Sequence, residues 1–166
     1  MRFDLAPMNA PLRVTTWISL PLPLVFLVLG FAGAGPDPRI QFAMFGFVLA
    51  VYASIWFLFR PTCFELTHDE LHIVWPLRTR VIPRRGVTGA RVVSGADFRR
   101  EAGVGMRIGA GGLWGGFGLL KTSKGPTYSM WVSRTDPLVI VTLDGARPLL
   151  LTPEDPERFI AALLAR

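Results

Sequence analysis

The sequence predicts an α+β protein in which a two-helix transmembrane hairpin precedes a β domain that ends in a helix. Two long uncharged runs, residues 14–36 and 40–59, come first. Short runs with alternating polar and apolar residues follow, and a stripe of apolar residues at helical spacing closes the chain. We therefore divide the chain into residues 1–60, the N-terminal flank and hairpin, and residues 61–166, the β domain.

Each uncharged run is long enough to cross a bilayer. A hydrocarbon core of about 30 Å needs roughly 20 apolar residues in a helix, and residues 37–39 supply a short polar turn between the runs. Only 18% of the 166 residues are charged, against about 25% in soluble domains. The shortfall comes from these two runs alone. Pro21 and Pro23 should disturb the first helix about a third of the way along it.

A cleaved signal peptide is the alternative for the first run. Arg2 and Arg13 could form its basic start, and the small residues 32–34 resemble a cleavage site. The run is longer than the usual core of about 7–15 residues, and a second spanning run follows closely. These features favour a retained hairpin.

The second run carries small residues at every fourth position, Gly46, Ala50 and Ser54. Such spacing gives one helix face on which another helix can pack closely. Two interpretations remain open for this face. It either closes the hairpin on itself or reflects ordinary membrane-helix composition.

Basic residues predict the orientation of the hairpin. The positive-inside tendency weights lysine and arginine near the ends of each span. Two precede the hairpin, one lies in its loop, and three lie in and just beyond the flank that follows: Arg2, Arg13, Arg39, Arg60, Arg78 and Arg80. We expect a multi-pass protein of the inner (plasma) membrane, with both termini and the β domain in the cytoplasm.

The β domain shows about seven short strand-like runs, as expected for side chains with a period of two. Asp144-Gly145 predicts a tight turn between the last two. The predicted strands are residues 63–67, 71–75, 80–82, 90–93, 127–133, 138–143 and 147–151.

A C-terminal helix is predicted over residues 153–165. Thr152 or, three residues later, Asp155 could cap its first turn. The apolar side chains Phe159, Ile160 and Leu163 then fall on one stripe with Leu164. A helix of this kind suits the open end of a curled sheet.

Three segments resemble bacterial pleckstrin-homology-like (PH-like) domains, some of which directly follow two transmembrane helices. They are FELTHDELHIVWPLRTRVIP, the glycine-rich middle, and PLVIVTLDGARPLLLTPEDPERFIAAL. The resemblance covers Pro61 to Leu164 and implies two nearly orthogonal antiparallel sheets closed by the C-terminal helix. It implies a binding platform for lipids, peptides or other subunits, and no particular activity.

Related domains that bind phosphoinositides carry lysine and arginine in and beside the loop between their first two strands. Here that loop is Thr67 to Glu70, and it is acidic. We therefore expect no phosphoinositide recognition by this loop.

The glycine-rich segment, residues 103–118, reads GVGMRIGAGGLWGGFG. It fits neither the dinucleotide nor the phosphate-loop pattern. One interpretation is a long, tight connection between strands. The other adds a contact surface for membrane or partner, made of nearby aromatic, apolar and basic side chains: Arg99, Arg100, Arg107, Leu113, Trp114, Phe117, Lys121 and Lys124.

The residues predict no catalytic, metal or cofactor site. The order His68-Asp69-Glu70-Leu71-His72 lacks the glutamate in second place and the helix that a zinc protease motif needs. Cys63 is the single cysteine and has no evident catalytic histidine or asparagine. We therefore expect the chain not to be an enzyme.

The function predicted is a non-catalytic, membrane-anchored platform for a protein partner, a second copy of the chain, or the membrane surface. The alternative is a small accessory subunit of a transport or envelope-assembly complex, held by its transmembrane hairpin. The formal charge of +6 also raises nucleic acid as a ligand. The arginines are scattered and no recognised nucleic-acid motif occurs, so we expect no nucleic-acid binding.

Overall fold

A computed structural model describes residues 1–33, 35 and 37–165. Ala34, in the candidate cleavage site, Pro36, at the end of the first predicted span, and Arg166 lie outside the described residues. The helices are α1 (Ala10–Ser19), α2 (Leu22–Phe31), α3 (Pro38–Ser54), α4 (Gly95–Ala102) and α5 (Pro156–Leu164), with a π-helical turn, Ile55–Phe59, directly after α3. The strands are β1 (Arg2–Asp4), β2 (Cys63–Leu66), β3 (Glu70–Val74), β4 (Thr79–Pro83), β5 (Val87–Val93), β6 (Gly105–Gly111), β7 (Gly116–Thr122), β8 (Tyr128–Val132), β9 (Leu138–Leu143) and β10 (Leu149–Leu151).

The two predicted spans form an apolar hairpin, residues 10–59. Its two arms, Ala10–Phe31 and Pro38–Phe59, are each long and apolar enough to cross a membrane. The first arm breaks between α1 and α2, beside Pro21, because proline lacks the N–H that the helix needs and its ring crowds the preceding turn. It also starts at residue 10, four residues before the predicted bound.

The first sheet has the order β1-β2-β3-β4 and is antiparallel throughout. Its edge strand β1 comes from the N-terminal flank and pairs Phe3 with Phe64. The N-terminal amine also donates to the Leu66 carbonyl oxygen at 2.5 Å. The flank therefore packs in the β domain, although the sequence-based division placed it with the hairpin.

The second sheet has the order β5-β9-β10-β8-β7-β6. The prediction of wholly antiparallel sheets is wrong here, because β10 pairs parallel to β8 while pairing antiparallel to β9. The cause is topological: β10 inserts between two strands that precede it in the chain. The fold class itself, α+β with the N-terminal apolar hairpin and the C-terminal helix, is confirmed.

The glycine-rich segment forms most of a β-hairpin, β6 and β7, so its interpretation as a connection between strands is wrong. Gly109 and Gly118 pair across it. A Cβ at Gly109 would stand 2.3 Å from the Phe117 carbonyl oxygen, and one at Gly118 would stand 2.4 Å from that of Ile108. Glycine is needed at this pair because the two strands approach too closely for any side chain.

The C-terminal helix α5 begins later than the first of the two candidate caps predicted. The Asp155 side chain accepts the Arg158 backbone N–H at 3.1 Å and so caps the helix. Thr152 is buried instead, and its hydroxyl accepts the Ser133 backbone N–H at 2.9 Å. Phe159 and Leu163 of α5 face the core between the sheets, where Phe159 packs edge-on against Phe3 at 5.3 Å.

Candidate functional site

The β domain contacts the apolar hairpin in a region that we call the junction. The turn between β6 and β7 reaches the hairpin with Trp114. The Trp114 backbone N–H donates to the Thr16 hydroxyl oxygen at 3.0 Å. The Trp114 ring lies edge-on to Trp56, at 5.0 Å between centroids, and to Tyr52, at 6.0 Å.

The orientation of the Thr16 hydroxyl allows its oxygen to accept this hydrogen bond. Its hydroxyl donates to the Leu12 carbonyl oxygen at 2.8 Å, one helical turn back, which leaves an oxygen lone pair for an incoming N–H. Thr16 is only 5% exposed. Sequence analysis gave Thr16 no role, although it is one of three hydroxyl residues, with Thr15 and Ser19, in the first uncharged run.

The C-terminal end of the second hairpin arm is hydrogen-bonded to residues of and beside the first sheet. The Trp75 indole N–H donates to the Phe59 carbonyl oxygen at 2.9 Å, and the Arg78 guanidinium donates to that of Leu58 at 2.8 Å. The last carbonyls of a helix have no partner within the helix. The β domain therefore satisfies groups that the end of the second arm leaves open.

The segment that precedes the first hairpin arm is also hydrogen-bonded to the β domain. The Ala6 backbone N–H donates to the Thr152 carbonyl oxygen at 2.9 Å, and the Ser133 hydroxyl donates to the Ala6 carbonyl oxygen at 2.5 Å. The Asn9 amide donates to the Thr135 hydroxyl at 2.6 Å. The start of the first arm and the finish of the second arm are thus both hydrogen-bonded to the β domain. β1 and that domain therefore lie together at the open end of the hairpin, opposite its loop.

The structure separates the residues that the sequence grouped as one contact surface. Phe117 is 0% exposed and packs in the core, so its assignment as a membrane or partner contact is wrong. It faces inward because it pairs with Trp131 of β8 and points between the sheets. Trp114 is half-buried against the hairpin, and Leu113 beside it is also half-buried.

The predicted basic contacts do not surround Trp114 either. Arg99 and Arg100 lie on α4, while Lys121 and Lys124 lie at or beyond the end of β7. Lys121 is five residues along the strand from Gly116, about 16 Å from the turn at 3.3 Å per residue. Of these basic residues, Arg107 is the one whose side chain lies near the turn, because its guanidinium lies over Gly111 and Gly116.

The small-residue face of α3 points away from the first arm. Val48 and Tyr52 form the buried face of this helix. At about 100° per residue, Ala50 lies on the side opposite both, and a Cβ at Gly46 would meet nothing within 4 Å. The interpretation that Gly46, Ala50 and Ser54 close the hairpin on itself is therefore wrong, and Gly30, beneath the Phe42 ring, has that role instead.

The acidic loop Thr67 to Glu70 lies at the end of β2 opposite the hairpin. It lines a cleft of about 790 Å³ together with Arg84 and the end of α5. The Arg84 guanidinium donates to carbonyl oxygens at both sides of this cleft: Thr67, His68, Ala162, Leu163 and Ala165. Its N–H groups are thus engaged by the protein itself.

The single cysteine, Cys63, is buried. Burial raises the pKa of the Cys63 thiol, which keeps it in the less nucleophilic protonated form. Across the described residues, no group of three or more histidine, cysteine, aspartate or glutamate side chains could hold a metal ion.

Comparison with known proteins identifies the β domain. The model of the bacterial PH domain family matches residues 62–166. The match excludes β1 and the apolar hairpin, so the strand that completes the first sheet lies outside it. No curated protein and no solved structure matched the chain. Because the match covers more than half of the sequence, the chain belongs to the bacterial PH domain family.

Proposed function

We propose that this chain is a non-catalytic interaction module that two membrane spans hold rigidly at the cytoplasmic face of the inner membrane. The observation that carries the proposal is the attachment of both hairpin ends to the β domain, through Ala6 and through Leu58 and Phe59. A domain fixed in this way presents the same surfaces to the bilayer and to the cytoplasm at all times. PH domains are in general binding folds, which supports a non-catalytic role.

Exposure supports a membrane location for the hairpin. Ile18 is 73% exposed, Phe31 78% and Phe47 63%. A soluble protein rarely leaves such a continuous apolar surface in water. Signal-peptide cleavage near residue 34 would also remove β1, and with it the buried side chains of Phe3 and Leu5.

Arginine placement supports the orientation. Arg13 and Arg60 lie at the end of the hairpin that meets the β domain, while Arg39 lies in the first turn of α3, at the other end. Labelling with a membrane-impermeant maleimide tests this directly in a chain whose only native thiol is removed by Cys63→Ala. In intact spheroplasts, Arg39→Cys should react and Thr67→Cys should react only after lysis. The reverse pattern would contradict the orientation.

The outer edge of β6 is the surface that we propose for a protein partner. β6 is the last strand of the second sheet, so one side of its backbone has no neighbouring strand among the described residues. Met106 is 58% exposed and Ile108 is 54% exposed on the same face. An extended segment of a partner can pair with such an edge through its backbone and cover the apolar side chains.

Photo-crosslinking in native membranes tests this surface. A photoreactive residue at position 108 should give a discrete adduct, whereas one at Thr142, exposed on the interior strand β9, should give none. An adduct of twice the chain mass identifies a second copy, and another mass identifies a different partner. Equal adducts at both positions, or none at position 108, would contradict the proposal.

The second candidate is an accessory subunit that packs through its hairpin, and the outward small-residue face favours it. Ala50→Leu and Gly46→Leu should then abolish co-purification with a membrane partner, because bulky side chains prevent close helix approach. Val51→Leu, about 100° around the helix from Ala50, places the same leucine side chain off this face and is the control. Retained co-purification in all three variants would exclude the hairpin as the interface.

We expect no nucleic-acid binding by the chain and no phosphoinositide recognition by the loop Thr67 to Glu70. Two features support the second expectation: the loop lies at the end of β2 opposite the hairpin, and the nearby Arg84 donates its N–H groups to carbonyl oxygens.

A further inference from the structure

A second cleft lies beside the end of the second hairpin arm, and we call it the arginine cleft. Its volume is about 340 Å³, within the range of about 300–1,000 Å³ of small-molecule sites. It is lined by Phe59, the last residue of the arm, and by Arg78, Arg80, Trp131 and Arg147. These arginines come from β4, the segment before it, and the turn between β9 and β10.

The cleft is strongly basic. Among the described residues, none of the three arginines has a carboxylate within 4.0 Å. No aspartate or glutamate lines the cleft either. Three arginines that line one cleft without counter-charge favour an anion, and a phosphate matches the forked N–H geometry of a guanidinium best.

Two of the three arginines are held in place by aromatic rings. The Arg80 guanidinium lies over the Trp131 ring at 5.6 Å, and that of Arg78 lies over the Trp75 ring at 4.6 Å. Arg78 also donates to the Leu58 carbonyl oxygen. A guanidinium has five N–H donors, so these contacts leave donors for a ligand.

The position of the cleft selects the source of the phosphate. Phe59 ends the arm that we propose to span the membrane, and Leu58 beside it is 42% exposed. The polar headgroup layer begins at the ends of a span. A lipid there can place its phosphate among the arginines while its chains lie along the exposed end of the arm.

We infer that the arginine cleft binds the headgroup phosphate of an anionic membrane phospholipid. This inference rests on the proposed membrane anchoring. The site differs from the acidic loop Thr67 to Glu70, which lies at the other end of the first sheet. A bound lipid would fix the β domain against the bilayer and make its position depend on anionic lipid content.

Lipid binding by the purified full chain in detergent tests the inference. Binding of a fluorescent phosphatidylglycerol is compared with that of the matching phosphatidylcholine. The variant Arg80→Gln with Arg147→Gln is compared with Arg85→Gln and Arg158→Gln, which removes the same charge from exposed arginines outside the cleft. Each basic residue near an anionic surface strengthens binding about fivefold. The cleft variant, which lacks two, should therefore bind phosphatidylglycerol about 30-fold more weakly. The control variant should bind it like the native chain.

Several outcomes overturn the inference. They are equal losses in both double variants, no loss in the cleft variant, and no preference of the native chain for phosphatidylglycerol. Displacement of the lipid by glycerol phosphate at a comparable concentration would instead assign the cleft to a soluble phosphate compound. The double variant Arg80→Lys with Arg147→Lys is the control for misfolding. It keeps the charge and should recover part of the binding.

Alkaline extraction of membranes that contain the same variants separates this inference from the proposed function. If the cleft variant loses lipid preference yet stays in the membrane fraction, the cleft assignment and the anchoring both stand. If the native chain shows no lipid preference but stays in the membrane fraction, the cleft assignment alone fails. Extraction of the native chain itself would contradict the membrane anchoring.

Discussion

The backbone N–H of Trp114 donates to the hydroxyl oxygen of Thr16, and this bond joins the turn of a glycine-rich β-hairpin to the first apolar helix. The two residues are separated by 98 positions in the chain. Trp114 is also the one described non-glycine residue in the left-handed region, with φ of 56°. A bulky residue adopts that conformation at a cost, and its contacts with Trp56 and Tyr52 offset the cost.

Trp114→Ala should therefore loosen the junction. Edge-on aromatic pairs contribute about 0.5–1.5 kcal/mol each beyond their burial, so we expect a loss of about 2 kcal/mol in unfolding free energy. Trp114→Gly should be about 1 kcal/mol more stable than the alanine variant, because glycine removes the left-handed strain. Unfolding of the full chain in detergent, followed by circular dichroism, measures both.

Trp17→Ala is the control for removing an indole from the same region. Trp17 is 67% exposed on α1 and should change stability little. A loss at Trp17 equal to that at Trp114 would mean that general detergent contact, and not the junction, explains the effect.

Arg84→Ala should detach the end of α5 from the loop Thr67 to Glu70. The guanidinium bridges the carbonyl oxygens of Leu163, at 2.7 Å, and Thr67, at 3.0 Å. Hydrogen bonds to charged groups contribute about 1.5–3 kcal/mol, and we expect a loss of about 3 kcal/mol. Arg84→Lys should recover only part of this, because an ammonium cannot span the fork.

The neighbouring Arg85 provides the control, since it is exposed and contacts no described acceptor through its side chain. Arg85→Ala should stay within about 0.5 kcal/mol of the native chain. If thermal unfolding shows equal effects at the two positions, the bridge by Arg84 contributes nothing specific.

Gly118→Ala should disrupt the β6–β7 hairpin. The added methyl would meet the Ile108 carbonyl oxygen at 2.4 Å, and φ is 124° at this position. Strain and overpacking together should cost about 3 kcal/mol. Gly89→Ala is the matched control, because its Cβ would have open space. Hydrogen exchange at the β6 and β7 amides should accelerate only in the Gly118 variant.

Strand-like runs bounded by turn residues made most of the fold predictable. Alternation of apolar and polar side chains located β2 and β3, short apolar runs located β4, β5, β8, β9 and β10, and helical spacing located α5. The signal fails where side chains are missing or few. β6 and β7 contain five glycines among their fourteen residues, and β1 has only three residues, so none of the three strands produces a readable period.

The junction was less predictable than the fold, because it depends on strand register and long-range contact. Trp114 and Phe117 looked equivalent in the sequence, yet three positions along the chain separate a turn residue from a core residue. Register against β8 decides that difference. The arginine cleft likewise joins Arg80 and Arg147, which no local pattern connects.

Cys63 should be unreactive in the folded chain. It is 1% exposed, and burial raises the pKa of its thiol. We expect maleimide labelling at pH 7 to be slower by at least about a hundredfold in the folded chain than in urea, because the thiolate is the reactive form.

The same pKa shift predicts a pH dependence of stability. Between the unfolded pKa, about 8.5, and the raised folded pKa, the folded thiol keeps a proton that the unfolded thiol has lost. The unfolded state then binds fewer protons, so the free energy of unfolding falls as pH rises through this window. The difference in stability between the native chain and Cys63→Ala should therefore shrink from pH 7 to pH 9.5. A difference that stays constant across this range, or rapid labelling of the folded chain, would mean that the thiol is not buried as described.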